Sequence, residues 1–374
     1  MNTNSDRSAA PRRPGRGLLI SLVALLAALL LGEGAARLVW TRDELDPLAL
    51  QMRRARIETH PYLAYANKPN YRKQPDAESP QQIAHNALGF RGPELTWEKP
   101  DGVFRVLCLG GSSTYGFGPS SDATTWPARL QDYLGEAFPE RRFEVINGGC
   151  QGYSTFESLI NLELRGTDLR PDLVLVYHTI NDMRCALYPH VARDNTHWRK
   201  AFPVEWPDPV EEVLEHSYLF LAWRMKLTDW WAVRQNLGAW VIRDFGKYAD
   251  DYAQPDPGDL GFRNTQRNLV DIVELVRRHG AVPVLVTQGM KPDGIPDVVA
   301  SKQQQLAGLE RVTAILRAVG AETDTPVIEA KAVLEEAAAG GANVFTNEVH
   351  LTDEGADLLA RTLAQGLTER GLIR

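Results

Sequence analysis

From residue 103 onward short apolar runs alternate with helical stretches, and this alternation constrains the fold more than any other feature of the chain. The runs are FRVLCLG (104–110), FEVIN (143–147), LVLVYH (173–178), VPVLVTQ (282–288) and PVIEA (326–330), each of strand length and rich in β-branched residues or leucine. Between them, WPARLQDYLGEAF, TFESLINLELRG, RNTQRNLVDIVELVRRHG and KQQQLAGLERVTAILRAVG repeat apolar residues at three- and four-residue spacing, the helical period. The pattern predicts a five-stranded parallel sheet covered on both faces by right-handed crossovers, a three-layer α/β/α architecture. Ligands of such sheets bind at the carboxyl ends of the strands, so the segments that leave those ends are where chemistry is sought.

The N-terminus has a different character. Arg7, Arg12, Arg13 and Arg16 precede GLLISLVALLAALLLGEGAARLVW, in which Leu18 to Leu31 holds Ser21 as its one polar residue. As a helix, residues 17–40 extend about 36 Å, enough for a hydrocarbon core of roughly 30 Å. Glu33 and Arg37 stand four apart in the favourable order for an ion pair, and Trp40 suits the membrane interface. A cleaved signal peptide is the alternative, with Gly34, Ala35 and Ala36 as the small residues. The apolar core is long for that, which favours an uncleaved anchor. The positive-inside rule then keeps residues 1–16 in the cytoplasm and exports the rest. The expectation is a single-pass protein of the inner or plasma membrane with an extracytoplasmic, periplasmic domain at 103–374.

Residues 41–102, punctuated by Pro and Gly, read as a juxtamembrane linker that becomes an extended flank on that domain. Between about 183 and 262 the alternation lapses. Six of the nine tryptophans fall there (Trp198, Trp206, Trp223, Trp230, Trp231 and Trp240), which predicts a helical insertion with its own small core or a lid over the strand ends. A net charge of −7 and the absence of a basic stripe set nucleic acid aside. Three cysteines make no disulfide scaffold: Cys108 reads as a buried strand residue, and pairing of Cys150 with Cys185 stays open. The histidines show no metal-ligand spacing, so neither a metal nor another cofactor is expected.

The first strand runs into GGSSTYGFG (110–118), a turn built of small residues. A phosphate loop needs Lys and then Ser or Thr after its last glycine, whereas Phe117 follows Gly116. A dinucleotide fingerprint needs G-x-G-x-x-G, which is missing too. A nucleophilic serine instead needs small neighbours, backbone N–H groups aimed at an oxyanion, and a histidine elsewhere. Four segments supply these in order: GGSST after the first strand, NGGCQGYS after the second, HTIND after the third, and TNEVHLTDEG before the last helix.

In these four segments the chain resembles the SGNH hydrolases, also called GDSL esterases and lipases, over roughly residues 103–373. The resemblance implies a flavodoxin-like order of the parallel sheet, Ser112 as nucleophile, His350 as catalytic base, and an oxyanion hole formed by the Ser112 and Gly149 N–H groups with the Asn181 side chain. Asp182 is expected to hold its loop, and His178 to pack at a strand end. Taken singly, Ser112, Gly149, Asn181 and His350 are ordinary turn, loop and cap residues. Their joint placement at strand ends argues for a site.

Three positions depart from the family pattern. Gly111 stands where an aspartate precedes the serine, Thr179 where a glycine opens the third block, and Asn347 where D-x-x-H places the aspartate that orients histidine. Asn347 is expected to accept the imidazole N–H through its carbonyl oxygen, without the charge that stabilises imidazolium. In a serine protease triad the corresponding Asp-to-Asn change costs about 10⁴ in kcat. The resemblance implies a serine esterase acting on a carbohydrate O-acetyl or lipid ester. The alternatives are an O-acyltransferase acting on an envelope or exported polysaccharide, and a non-catalytic carbohydrate-binding protein.

Overall fold

In the computed structural model, α1 (Gly15–Val39) opens the chain as a helix long and apolar enough to cross a membrane, its leucines exposed along most of its length. The structure describes residues 15–41, 45, 56–58, 60, 62–63, 65–75, 80–187, 191, 193, 195, 213–214, 216–235, 259–291 and 301–373, with backbone alone at 15–16, 18 and 228–235. The basic cluster Arg7, Arg12 and Arg13 lies outside these residues, as do Trp198, Trp206 and Trp240.

Two small antiparallel ladders follow α1, β1 (Ile57–Glu58) with β2 (Ala66–Asn67) and β3 (Arg72–Lys73) with β4 (Ile83–Ala84). The main sheet then begins with β5 (Val103–Gly110). A short helix, α2 (Ser112–Tyr115), leaves its end, and α3 (Trp126–Ala137) leads to β6 (Arg142–Asn147). Next come α4 (Thr155–Asn161), which runs on into a π-helical turn at Leu162–Gly166, then β7 (Leu173–Tyr177) and α5 (Ile180–Ala186). The remainder comprises α6 (Tyr218–Gln235), α7 (Leu260–Arg278), β8 (Val282–Val286), α8 (Lys302–Glu322), β9 (Val327–Ile328), α9 (Ala330–Ala339) and α10 (Asp353–Glu369).

All neighbours in the main sheet are parallel, in the order β6-β5-β7-β8-β9. This is the doubly wound arrangement that the alternation predicts, with its switch point between β5 and β7. Alternate residues feed two separate cores. Val106, Cys108, Leu173, Leu175 and Val284 face α3, α9 and α10, whereas Leu107, Leu109, Val174, Val176 and Leu285 face α7 and α8. Burial on both sides explains why the strands read as continuous apolar runs rather than as alternating ones.

The flank is fastened to this sheet by buried arginines. Arg105 on β5, with no exposed side-chain surface, pairs with Glu144 at 2.6 Å and donates to the carbonyls of Trp97 (3.0 Å), Leu169 (2.8 Å) and Thr96 (2.8 Å). Arg91, equally buried, pairs with Asp122 at 2.7 Å and donates to the carbonyls of Tyr115, Gly116 and Gln82. Each guanidinium therefore satisfies several backbone acceptors that no regular element serves.

Within the insertion, α6 packs against the end of α1. Glu33 takes Arg37 at 2.7 Å as an i,i+4 partner and accepts Ser217 Oγ (2.7 Å) and the N–H groups of Tyr218 and Leu219 (3.0 Å each), capping α6. Leu221, Ala222 and Met225 bury with Leu45 beside Trp40. These residues pack beside the end of α1, and Trp223 remains exposed. The cysteines are all buried thiols, and no disulfide joins Cys150 to Cys185.

Replacing Arg105 by Met is expected to lower unfolding stability by about 3–5 kcal/mol, because Glu144 and the flank carbonyls are left without their donor. Thermal or urea denaturation checks this, and a loss below about 1 kcal/mol would contradict the fastening role assigned to Arg105.

Candidate active site

Three strand ends and one loop bring together the residues singled out above. Gly111 caps α2, so Ser112 opens that helix with an N–H that has no acceptor within it. Tyr115 N donates back to Gly111 O at 2.9 Å, which closes the turn and leaves Ser112 partly exposed at the end of β5. Ser113 Oγ donates to Val349 O at 3.0 Å, tying this turn to the loop that precedes α10.

Crowding dictates the glycines. A Cβ on Gly111 would lie 2.6 Å from Asn181 Nδ2 and 3.1 Å from Tyr153 O, so this backbone arrangement leaves no room for a side chain at 111. A Cβ on Gly149 would collide with the backbone of Thr114 and Tyr115. The requirement at 149 is therefore close approach; a positive φ is found three residues on, at Gly152.

Asn181 and Asp182, in the first turn of α5, hold the loop after β6 from two sides. Asn181 Nδ2 donates to Tyr153 O at 2.9 Å, which leaves its second N–H available. Asp182 accepts the Thr155 N–H at 3.0 Å and its hydroxyl at 2.5 Å. Burial raises the Asp182 carboxyl to about 7, against these hydrogen bonds. His178, buried at the end of β7, meets Ser158 Oγ at 2.8 Å through Nε2 and is pushed by burial to about 3. Gly149 N–H is engaged at 3.1 Å with Asn147 Oδ1, and Gly149 O accepts Asn67 Nδ2 at 2.9 Å.

The histidine arrives from the other end of the chain. A bridge between Phe345 and Leu351 closes a loop over residues 346–350, and Thr352 caps α10 by accepting Gly355 N–H at 3.0 Å. His350 Nε2 lies 2.8 Å from Ser112 Oγ across 238 residues of sequence. Burial lowers the imidazole to about 4, with Glu348 opposing the shift and the charges of Arg184 and Arg56 reinforcing it.

Asn347 is oriented opposite to expectation. Its Oδ1 accepts the N–H groups of Val349 (3.1 Å) and His350 (2.9 Å), which fixes the amide and turns Nδ2 toward His350 Nδ1 at 2.8 Å. The side chain thus donates to the ring instead of accepting from it. Nδ1 must then be the acceptor, and the proton of the neutral ring sits on Nε2, facing the serine.

Around this core stand residues that the motifs did not single out. Phe117 lies 5.4 Å from the His350 ring, centre to centre, and Arg184 pairs with Glu348 at 3.2 Å. The guanidinium of Arg56, from the flank, lies 4.1 Å over Phe117. Phe117 stood within the quoted turn and carried a signal of position, but the arginines carried none. Among the described residues no three of His, Cys, Asp and Glu cluster as metal ligands would.

Comparison with known proteins follows this geometry. The model of the GDSL-like lipase/acylhydrolase family matches residues 108–358. Among solved structures, the fold is similar to an acetylxylan esterase from Geobacillus stearothermophilus (16% identity, 71% of this chain and 94% of that one, TM-score 0.43). It is also similar to an alpha/beta hydrolase enzyme from the metagenome of Lake Arreo, Spain (14%, 74% and 99%, 0.43). A GDSL-like lipase from Bacteroides thetaiotaomicron is a third (13%, 74% and 93%, 0.41). No curated protein matches the chain in sequence. Because the family model runs from the strand that delivers the serine to the helix behind the histidine, the chain belongs to the GDSL-like lipase/acylhydrolase family.

Proposed function

We propose that the protein is a membrane-anchored serine esterase that hydrolyses an acyl ester, of a carbohydrate or lipid, through an acyl-Ser112 intermediate, at a slow rate set by Asn347. The reading is carried by the 2.8 Å approach of His350 Nε2 to Ser112 Oγ, a contact that only the folded chain creates. The arginines before the apolar helix support a topology with this domain on the far side of the membrane from the cytoplasm.

In this reading Ser112 Oγ attacks the ester carbonyl while His350 Nε2 takes its proton and passes it to the leaving alcohol. Water then cleaves the acyl-enzyme by the same route in reverse. Ser112 N–H and the free N–H of Asn181 face the developing oxyanion. Gly149 N–H joins them by exchanging Asn147 Oδ1 for the substrate oxygen. No cofactor takes part in these steps.

Asn347 opposes the first step. To accept the serine proton at Nε2, the ring must carry its other proton on Nδ1, where the Asn347 amide points a donor. Turning that amide over sacrifices its bonds to Val349 and His350 N–H, at about 1 kcal/mol each. An aspartate would keep one oxygen on those N–H groups and offer the other to Nδ1–H. A non-catalytic binding protein is the second reading that the same orientation favours.

Three measurements follow on the full chain in nonionic detergent. Hydrolysis of a short-chain chromogenic ester is expected to drop to background in Ser112→Ala; equal rates in both proteins would remove Ser112 as nucleophile, and folded proteins that are equally inert would favour the binding reading. Asn347→Asp is expected to raise kcat, by up to about 10⁴-fold on the triad precedent, and an unchanged or lower kcat would refute the tautomer argument. The acid limb of kcat/KM reports the base. His350 acts when neutral, so activity is lost as pH falls through about 4, and the carboxylate in Asn347→Asp moves that limb upward. A wild-type limb at or above the ordinary histidine value would contradict the buried, uncharged ring.

A further inference from the structure

Arg56 has a combination of properties that neither the family motifs nor the proposed mechanism uses. It comes from the flank just ahead of β1, and its guanidinium covers the ring of Phe117 at 4.1 Å. The same ring lies 5.4 Å from that of His350, centre to centre. Arg56 and the base that touches Ser112 thus contact the same aromatic ring, and the Arg56 charge is among those that act on His350.

The arginine is poorly served where it lies. Among the described residues its hydrogen bond goes from Nη2 to the side-chain oxygen of Gln151, a neutral acceptor, and its buried Nε meets no acceptor. Among the described residues no carboxylate pairs with it. The other cations nearby are differently placed, since Arg91 is paired with Asp122 and Arg184 with Glu348. Burial lowers the tendency of Arg56 to hold its proton, and the Arg91 charge adds to this, so an anion beside it would relieve a standing cost. Arginine forks match carboxylate and phosphate oxygens with paired hydrogen bonds, and a guanidinium stacked on an aromatic ring keeps its edge free to make them.

We infer that the site is built for acyl esters bearing a carboxylate or phosphate group, which Arg56 binds beside Ser112. The inference rests on the esterase reading for the identity of the substrate, but the binding of the anion does not require turnover. Arg56 is thus a positioning residue for substrate, supplied by the flank rather than by the family's strand ends.

The experiment uses three esters of matched shape on the full-length Ser112→Ala protein in nonionic detergent: 4-acetoxybenzoate, 4-acetoxyphenyl phosphate and neutral 4-acetoxybenzamide. Titration calorimetry is expected to show one or both anions binding about tenfold more tightly than the amide. Whichever anion is preferred assigns the source of the charge. In Ser112→Ala/Arg56→Gln the preference disappears while binding of the amide stays the same, and in Ser112→Ala/Arg56→Lys part of it returns. Anions that bind no better than the amide, or a preference that survives Arg56→Gln, overturn the inference. So does an equal loss of all three ligands in Arg56→Gln, which would mean that Arg56 merely holds the Gln151 loop. Hydrolysis of the neutral amide-bearing ester by the wild-type protein, measured alongside, reports on the esterase reading alone, so the two can fail separately.

Discussion

The candidate site depends on how closely the backbone packs at the end of β5. Gly110, Gly111 and Gly149 have no room for a Cβ, because Thr114, Asn181 and the backbone of Thr114 and Tyr115 occupy the space each would need. That crowding draws the turn after β5, the loop after β6 and the first turn of α5 against one another. Parallel strands place these three connections at one edge of the sheet, and the glycines let them touch. Ser112 N–H, Gly149 N–H and the Asn181 amide share a small space for this reason. A side chain at Gly111 would meet Asn181 in this arrangement.

The flank is the second support. Residues 80–100 form little regular structure, yet buried arginines hold them: Arg91 of the flank and Arg105 of β5 each exchange water for several carbonyl oxygens and one carboxylate. Tyr115, beneath the serine turn, meets His85 of the flank at 2.8 Å through its hydroxyl. Burial holds the His85 ring neutral, lowered to about 4, so it can accept that hydroxyl proton. The segment that follows α1 thus braces the turn as well as delivering Arg56 to Phe117. The apolar helix α1 is joined to α6 through Glu33.

Much of this was legible in the sequence. Five apolar runs gave strands whose ends agree with the structure within two residues or so, since burial on both faces leaves an unmistakable run of leucine and valine. Ser112 and His350 were named together, though 238 residues separate them, because each sits in a short block with its own turn chemistry. The helix α9 (Ala330–Ala339) went unread. Its alanine-rich stretch follows directly on β9 with no loop to announce it. The roles of Arg56, Arg91 and Arg105 were equally hidden, because an arginine at a buried junction has the same local sequence as one in water.

What the sequence determined by itself is the order of strands and helices, the apolar N-terminal helix and the identity of the groups available for chemistry. These follow from local periodicity and composition, which each segment carries regardless of its surroundings. The tertiary structure decided how those groups are used. Asn347 shows the difference: the residue was visible, but the direction of its amide was set by two backbone N–H groups of its own loop and by the ring position that the fold imposes. Which atom of a side chain faces a neighbour depends on the positions of all its other partners, and only the folded chain brings those partners together.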